Sequence, residues 1–307
     1  TSDYPEANLR HYAFMIDGLR DAAKTLAERG IRFVVRHMSP PEIALELGCA
    51  ASAIVCDTGY LRHQKDWRLQ VAEDAACQVF QVEADVIVPV AEASDKSESA
   101  ARTLRPKLMR QLDRFTPVLR KTEPTRPSTD IPIKSIDIFD DEALLGPLAI
   151  DSSVPPVPLY KGGTTAARKL LSRFINRHLD KYAGNRNQPQ TDDVSHMSKY
   201  LHFGQISPAY ISRRIRETGK GADADRSAYL DELLVRRELA VNFVHYNEWG
   251  YDRYGAIPLW ARQTLAAHRN DDRPHISTRQ RLEAADTHDA YWNAAMNEMK
   301  HTGYMHN

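Results

Sequence analysis

The sequence lacks the features that mark membrane, secreted or strongly charged proteins. It contains no apolar run near ~20 residues and no basic segment followed by an apolar one, so we expect neither a membrane span nor a secretory signal. Its 307 residues carry 41 Lys and Arg against 41 Asp and Glu, so the whole molecule has no net charge to attract a polyanion. Any contact with nucleic acid must therefore come from a local basic patch, in a protein that we expect in the cytoplasm or nucleus.

Cysteine is scarce and one common cofactor motif is absent. Cys49, Cys56 and Cys77 are odd in number and show no metal-ligand spacing, so we expect no disulfide framework and no metal site. Their apolar surroundings predict small core residues in a reducing compartment. The absence of G-x-G-x-x-G argues against a nicotinamide-dependent oxidoreductase.

The first third of the chain alternates between helical and strand patterns. Helical spacing is seen in YAFMIDGLRDAAKTLAERG, PEIALELG and DWRLQVAEDAAC, and β-branched or apolar runs in IRFVVRHM, SAIVCD and QVFQVEADVIVPV. Strands that alternate with helices predict a parallel sheet covered on both faces. The expected fold of residues 1–118 is therefore an α/β domain with a Rossmann-like parallel sheet.

The rest of the chain predicts a connector and an all-helical domain. Residues 119–160 carry many of the seventeen prolines and no sustained period, which is typical of an interdomain linker. Residues 161–307 are helical almost throughout, and the final helix has cap residues in Thr287 and Asp289 and a closing Gly303.

Two helical-half segments are candidates for a functional site. In DVSHMSKYLHFGQISP, hydroxyls and free amides at helix starts suit a phosphate or pyrophosphate, although the serines could simply cap helices. In YLDELLVRRELAVNFVHYN, Glu232 and Arg236 share a stripe with apolar residues, and a carboxylate facing an interior must be paired or used. A plain i,i+4 salt bridge on a solvated face is the alternative.

Seven segments in one order resemble the photolyase/cryptochrome family, and more narrowly the class II cyclobutane pyrimidine dimer photolyases. They are YPEANLRHYAFMIDGL, GYLRHQKDWR, QVEADVIVPV, AARTLRPK, SHMSKYLHFGQISP, DELLVRRELAVNFVHYN and THDAYWNAAMNEMKHTGYMHN. The family's fold, an α/β domain followed by a helical domain that holds FAD, agrees with the architecture predicted above. Lys199 departs from the family pattern, since many relatives have proline there, and it adds a cation beside the expected cofactor loop.

The resemblance assigns roles to individual residues. It implies FAD contacts at Tyr182, Val194, Ser195, His196, Met197, Ser198, Arg236 and Asn307. It implies that Glu232 contacts the pyrimidine dimer and that Trp292 is the middle member of the tryptophan relay that reduces the flavin. Phosphate contacts with DNA are expected from Arg213, Arg214 and Arg216, for which a solvated helix face is an equal alternative.

The expected activity is light-driven repair of DNA that contains pyrimidine dimers, carried out by a monomer. A cryptochrome-like photoreceptor and a flavin-free nucleic-acid-binding module are the alternatives. An antenna chromophore of unspecified identity is a further expectation that the family allows. Relatives begin earlier and continue past Asn307, so we expect an internal segment of a photolyase, inactive by itself, with an evolved short form as the alternative.

Overall fold

The computed structural model describes Tyr4 and residues 6–306, and it is mostly helical. The α-helices are α1 (Leu9–Glu28), α2 (Pro40–Gly48), α3 (Arg62–Asp74), α4 (Val90–Ala93), α5 (Ala101–Phe115), α6 (Asp141–Leu145), α7 (Thr164–Arg177), α8 (Tyr182–Asn185), α9 (Ser198–His202), α10 (Pro208–Glu217), α11 (Asp223–Leu230), α12 (Arg237–Tyr246), α13 (Leu259–Ala267), α14 (Arg279–Ala284) and α15 (Ala290–Thr302). A π-helix, Asp231–Arg236, links α11 to α12. Three 3₁₀ turns cover Leu179–Lys181, Pro189–Thr191 and Tyr254–Ala256.

The sheet is small. Strands β1 (Ala53–Asp57) and β2 (Gln78–Val82) pair in parallel through the crossover helix α3, with the first residue of each strand opposite the other. The parallel pairing confirms part of the expected α/β fold. The prediction that both faces are covered is wrong, because α2 packs on the side of Ile54 while Val55 and Phe80 on the opposite side are 65% and 50% exposed.

Two predicted stretches of strand are wrong for the same reason. Residues 31–38 form no strand, since the amides of Arg32 and Val35 bond to hydroxyls of the connector, Ser128 and Ser135. The second predicted strand stops at Val82, and beyond it buried amides bond to glutamate side chains. In both places a side chain replaces the neighbouring strand as the hydrogen-bond partner.

The connector is docked against α1. Ile138 and Leu144 are buried with Ile16 and Ala23 of α1, and Arg32 donates to the carbonyl oxygens of residues 129 and 133. The proline-rich segment thus has little regular structure but a fixed path.

The helical half has its own apolar core. Large, deeply buried side chains of this core come from α7, α10, the first 3₁₀ turn and the loop before α9: Leu171, Phe174, Leu179, Met197, Ile211 and Ile215. The caps predicted at Asp289 and Gly303 are confirmed, because Asp289 accepts from the amides of Tyr291 and Trp292 and Gly303 adopts φ 70°. Thr287 is not the cap, and its hydroxyl accepts from the Asp289 amide at 3.1 Å instead.

Apolar packing and hydrogen bonds join the α/β region to the helices. A second core packs Leu104 and Leu108 of α5 against Leu234 of the π-helix. Closer to α1, Gln205 accepts from the Gly163 amide at 2.7 Å and donates to the Phe14 carbonyl at 3.0 Å. A Cβ at the neighbouring Gly162 would lie 2.2 Å from that same carbonyl oxygen, so the chain just before α7 approaches α1 more closely than a side chain permits.

The cysteines are free thiols but not core residues, contrary to the prediction. Cys49 is exposed and Cys56 and Cys77 are half-buried, because Cys56 lies on the partly open sheet and Cys77 immediately precedes its second strand. Across the described residues, none of the helices is both long and apolar enough to cross a bilayer.

Candidate functional site

The loop from Asp192 to Ser198 is held in an unusual backbone conformation. Asp192 and His196 both adopt the left-handed region, with φ of 53° and 55°, which is uncommon for residues other than glycine. Buried Asp193 accepts from Asn185 Nδ2 at 2.7 Å and pairs with His178 Nδ1 at 2.8 Å. Burial alone would raise the pKa of Asp193, but these hydrogen bonds outweigh it and lower the pKa below its usual value. The loop is therefore anchored as an anion-bearing turn.

The predicted cofactor residues of this loop differ in their exposure to solvent. Met197 is 2% exposed and belongs to the helical core, whereas Ser198, the first residue of α9, is exposed. Val194 and Ser195 are half-buried. We refer to residues 192–198 as the flavin loop, after the contacts predicted for it.

Aromatic side chains pack behind the flavin loop. Tyr182 lies with its ring centroid 5.2 Å from that of Tyr229 and 5.7 Å from that of Phe174. Tyr229 donates from its hydroxyl to Ser195 Oγ at 3.1 Å. Burial, aided by the nearby Glu232 carboxylate, raises the pKa of Tyr182 to about 12, so this ring stays neutral at physiological pH. The predicted contact Tyr182 and the flavin loop thus belong to one packed unit.

Glu232 pairs across the site with Arg186, not along its own helix. The Arg186 guanidinium donates to Glu232 Oε1, and the two side chains are 31% and 43% exposed. Arg186 follows Tyr182 by one helical turn, so the buried Tyr182 ring lies beside the half-exposed pair of Arg186 and Glu232. A half-exposed carboxylate whose partner is an arginine remains accessible to a further hydrogen-bond donor.

The stripe predicted to join Glu232 and Arg236 is not formed. Both residues lie in the π-helix, where the wider turn displaces positions i and i+4 from each other. Arg236 Nε is instead 3.8 Å from Asp231 Oδ2, and its side chain is 58% exposed. The predicted flavin contact Arg236 therefore points to solvent beside an acid of its own turn.

The three arginines of α10 differ in how far they are neutralised. Arg216 donates to Asp113 Oδ1 at 2.5 Å, and Arg213 lies 3.9 Å from a carboxylate oxygen of Glu217. Arg214 is exposed and has no polar partner among the described residues. Of the predicted phosphate contacts, Arg214 is the one with its charge uncompensated.

Trp292 lies at the start of α15, far from the flavin loop along the helix. Its indole donates to the Leu282 carbonyl of α14 at 3.1 Å, and the residue is 41% exposed. The opposite end of the helix reaches the loop, since the Tyr304 ring lies 4.8 Å from that of His196. At about 1.5 Å of rise per residue, the backbone of Trp292 lies roughly 16 Å from Gly303 along the axis of α15. Asn307, the remaining predicted FAD contact, lies outside the described residues.

An open cleft of about 940 Å³ borders the flavin loop. Val194, Ser195 and His196 form part of its wall, opposite α1 and α7. Volumes of this order suit nucleotide-sized ligands. The donors available at the loop, which are serine hydroxyls and cationic side chains, fit the pyrophosphate of a dinucleotide such as FAD.

Sequence reasoning missed two residues of this region. Arg186 was not singled out, although it shares a short segment with Tyr182. Glu238 is the deeply buried carboxylate of the helix, at 2% exposure, and it accepts from the amides of Ile87 at 2.6 Å and Val88 at 3.4 Å. Burial raises the pKa of Glu238 to about 7. An acid among otherwise apolar helix positions was the available signal for it.

Comparison with known proteins identifies the class of fold first. A class III photolyase from Agrobacterium tumefaciens superposes with a TM-score of 0.72 at 17% identity, over 100% of this chain and 63% of its own. A cryptochrome from Synechocystis gives a TM-score of 0.72 at 15% identity, over 98% of this chain and 62% of its own. The fold is therefore that of photolyases and cryptochromes.

Sequence relatives narrow the class to a family. Residues 2–128 match the DNA photolyase family model. The deoxyribodipyrimidine photo-lyase of Methanothermobacter thermautotrophicus is 42% identical over 308 residues, which cover 100% of this chain and 66% of the relative. That of Potorous tridactylus is 34% identical and covers 98% of this chain and 56% of the relative. The chain belongs to the DNA photolyase family, and it spans roughly two thirds or less of the length of these relatives.

Proposed function

We propose that the protein acts in light-driven repair of DNA, splitting cyclobutane pyrimidine dimers as a class II photolyase. The observation that carries the proposal is the half-exposed Arg186–Glu232 pair beside Tyr182, whose ring packs on Tyr229 and through it meets Ser195 of the flavin loop. An accessible carboxylate close to a loop with serine hydroxyls supports a photolyase site in a chain whose relatives are deoxyribodipyrimidine photo-lyases.

FAD is the proposed cofactor, and its reduced form would supply the electron for repair on absorbing light. Ser195 and Ser198 would bind its pyrophosphate, and Tyr182 would pack against it. Arg236, whose side chain is 58% exposed, would bind an anionic part of the cofactor. An antenna chromophore remains a proposal for the α/β region, since a structurally similar archaeal photolyase from Sulfolobus tokodaii contains two FAD molecules.

The proposed substrate is DNA with the dimer flipped out of the duplex, a step whose cost is lowest at a lesion that stacks poorly. Glu232 would accept hydrogen bonds from the pyrimidine edge, and its pairing with Arg186 would keep its side chain oriented until the dimer arrives. Arg214 would contact a phosphate, since its charge has no partner in the described chain. Trp292 would pass an electron towards the site.

The proposed domain organisation is residues 1–118, 119–160 and 161–307, acting as a monomer. A cryptochrome-like photoreceptor without repair activity is the second candidate function. It is favoured by the Arg186–Glu232 pair itself, because a carboxylate already satisfied by an arginine does not need a substrate to stabilise it.

Glu232→Gln separates the two functions. The amide keeps the size and one acceptor but removes the charge, so folding should change by less than about 0.5 kcal/mol for this half-exposed group. A hydrogen bond to a charged group contributes ~1.5–3 kcal/mol, and one to a neutral group about half of that. Because the lost interaction stabilises the charged intermediate, repair per absorbed photon should fall about tenfold. Repair of a dimer-containing oligonucleotide under blue light is the measurement. Absence of repair in the wild type, with flavin bound, would favour the photoreceptor.

A further inference from the structure

Lys199 is enclosed by tyrosine rings beside the flavin loop. Its Nζ lies 3.7 Å from the ring centroid of Tyr160, 5.1 Å from that of Tyr304 and 6.0 Å from that of Tyr200. Contacts within about 6 Å of a ring face stabilise a cation. The three tyrosine rings thus form a binding environment for the positive charge of Lys199, whose amine is not simply solvated.

The enclosed amine also holds the strained part of the loop. Lys199 Nζ donates to the carbonyl oxygen of His196 at 3.1 Å, and His196 is the residue in the left-handed conformation. The imidazole of His196 is fixed on both sides, by Asp192 Oδ1 at 2.7 Å and by the Tyr160 hydroxyl at 3.4 Å. Backbone strain of this kind persists only where surrounding contacts enforce it.

Three distant parts of the sequence meet at this lysine. Tyr160 ends the connector, His196 and Lys199 belong to the loop and to α9, and Tyr304 follows α15. The ring contacts of His196 with Tyr160 and Tyr304, at 5.8 Å and 4.8 Å, complete the cluster. A side chain placed here can therefore transmit the positions of the connector and of α15 to the flavin loop.

Few charges in the cluster compensate the cation. Asp192 is the carboxylate that acts directly on Lys199, and Glu298 of α15 faces His196 and the tyrosines. Burial lowers the pKa of Lys199 to about 8, with Asp192 opposing the shift, and burial also lowers the pKa of His196. Burial raises the pKa of Tyr160 to about 12 and that of Tyr200 and Tyr304 above the ordinary value, so between pH 7 and 10 Lys199 is the group expected to titrate.

We infer that Lys199 is a positioning residue of the cofactor site, which fixes the flavin loop through the His196 carbonyl and places a positive charge beside the bound phosphates. The role towards phosphates rests on the proposed binding of FAD at this loop, whereas the role in fixing the loop does not.

Hydrogen exchange tests the fixing role without a cofactor. Lys199→Met keeps the apolar stem and removes the charge and the donor, so amide protection of residues 194–198 should fall about tenfold. Lys199→Arg should retain most of the protection. Lys161→Met is the matched control, since Lys161 is exposed and its side chain has no partner among the described residues. Equal protection in the Met variant and the wild type would overturn the inference.

The pH dependence of FAD affinity tests the charge. Below pH 8 the cation is present and FAD should bind about tenfold more tightly to the wild type than to Lys199→Met. Above pH 9 the difference should vanish. Folding should respond in the opposite direction, because an amine whose folded pKa is lowered adds stability as pH rises from about 8 towards its usual value.

These opposite trends distinguish a positioning role from mere packing. A fixed ratio of FAD affinities across pH 7 to 10 would overturn the charge assignment. If the wild type binds no FAD in a fluorescence titration, the proposed cofactor fails for this chain, and the exchange measurement alone decides whether Lys199 fixes the loop.

Discussion

Glu232 and Glu238 lie on one continuous helical stretch, yet their surroundings differ in kind. Glu238 is buried and bonds to two backbone amides from the α/β region, whereas Glu232 is half-exposed and pairs with one arginine. The buried acid has its hydrogen-bonding capacity used within the protein. The difference shows that a buried carboxylate with a raised pKa can serve structure, so a perturbed pKa alone does not locate a functional site.

The largest expected effect comes from removing the buried acid. Glu238→Ala leaves the amides of Ile87 and Val88 without partners, at ~1–3 kcal/mol each, and opens a cavity. The free energy of unfolding should fall by about 4 kcal/mol in urea titrations. Glu232→Ala is the control and should cost less than about 1 kcal/mol, since its ion pair is largely solvated. Equal losses would remove the distinction between the two acids.

A smaller effect should appear on changing pH. The folded pKa of Glu238, about 7, lies above its ordinary value of 4.5, so the folded state holds the proton more tightly. Protonation of Glu238 therefore stabilises the folded state fully below pH 4.5, and this stabilisation is lost as pH rises to about 7. At 1.36 kcal/mol per pKa unit, the loss in free energy of unfolding is at most about 3 kcal/mol. The free energies of unfolding of the wild type and of Glu238→Gln, compared between pH 4.5 and 7, measure this loss. Parallel curves would show that Glu238 does not titrate in this window.

Glu98 supplies an internal contrast for that experiment. Hydrogen bonds from Lys107, Thr103 and Ser94 lower the pKa of this carboxyl to about 2. Its contribution is present above its unfolded pKa and is lost as pH falls towards 2. The two acids therefore affect stability in separate windows and with opposite sign.

The smallest effect on folding is expected at Trp292. Trp292→Phe loses one indole hydrogen bond at a partly exposed site, so unfolding should change by less than about 1 kcal/mol. Light-driven flavin reduction should nevertheless slow, because phenylalanine is harder to oxidise. Flavin absorbance during illumination of the holoprotein is the measurement, and an unchanged rate would refute the relay assignment.

The elements that sequence could predict are those specified by nearby residues. The caps of α15 depend on Asp289 and Gly303 themselves, and β1 and β2 on short β-branched runs. Residues 31–38 have the same composition but form no strand, because the hydroxyls of Ser128 and Ser135 take the place of a neighbouring strand. Amino-acid composition indicates whether a segment favours a strand, but not which groups will satisfy its backbone hydrogen bonds.

The candidate site was predictable in its residue types but not in its pairings. The resemblance pointed to Tyr182, Glu232 and the flavin loop, yet the partner of Glu232 is Arg186 and not Arg236. That pairing depends on the π-helix, whose extra residue in the turn has no local sequence signature comparable to a cap. Register changes of this size are decided by packing across the core.

The approach of Gly162 to α1 sets how closely the start of α7 can lie to that helix. A Cβ at Gly162 would be only 2.2 Å from the Phe14 carbonyl oxygen, so the chain there has no room for even one methyl group. Gln205, three residues after α9, bonds to both the Gly163 amide and the Phe14 carbonyl. A chain that carried alanine at this point would need a wider gap between its two halves, and the floor beneath the flavin loop would have to shift with it.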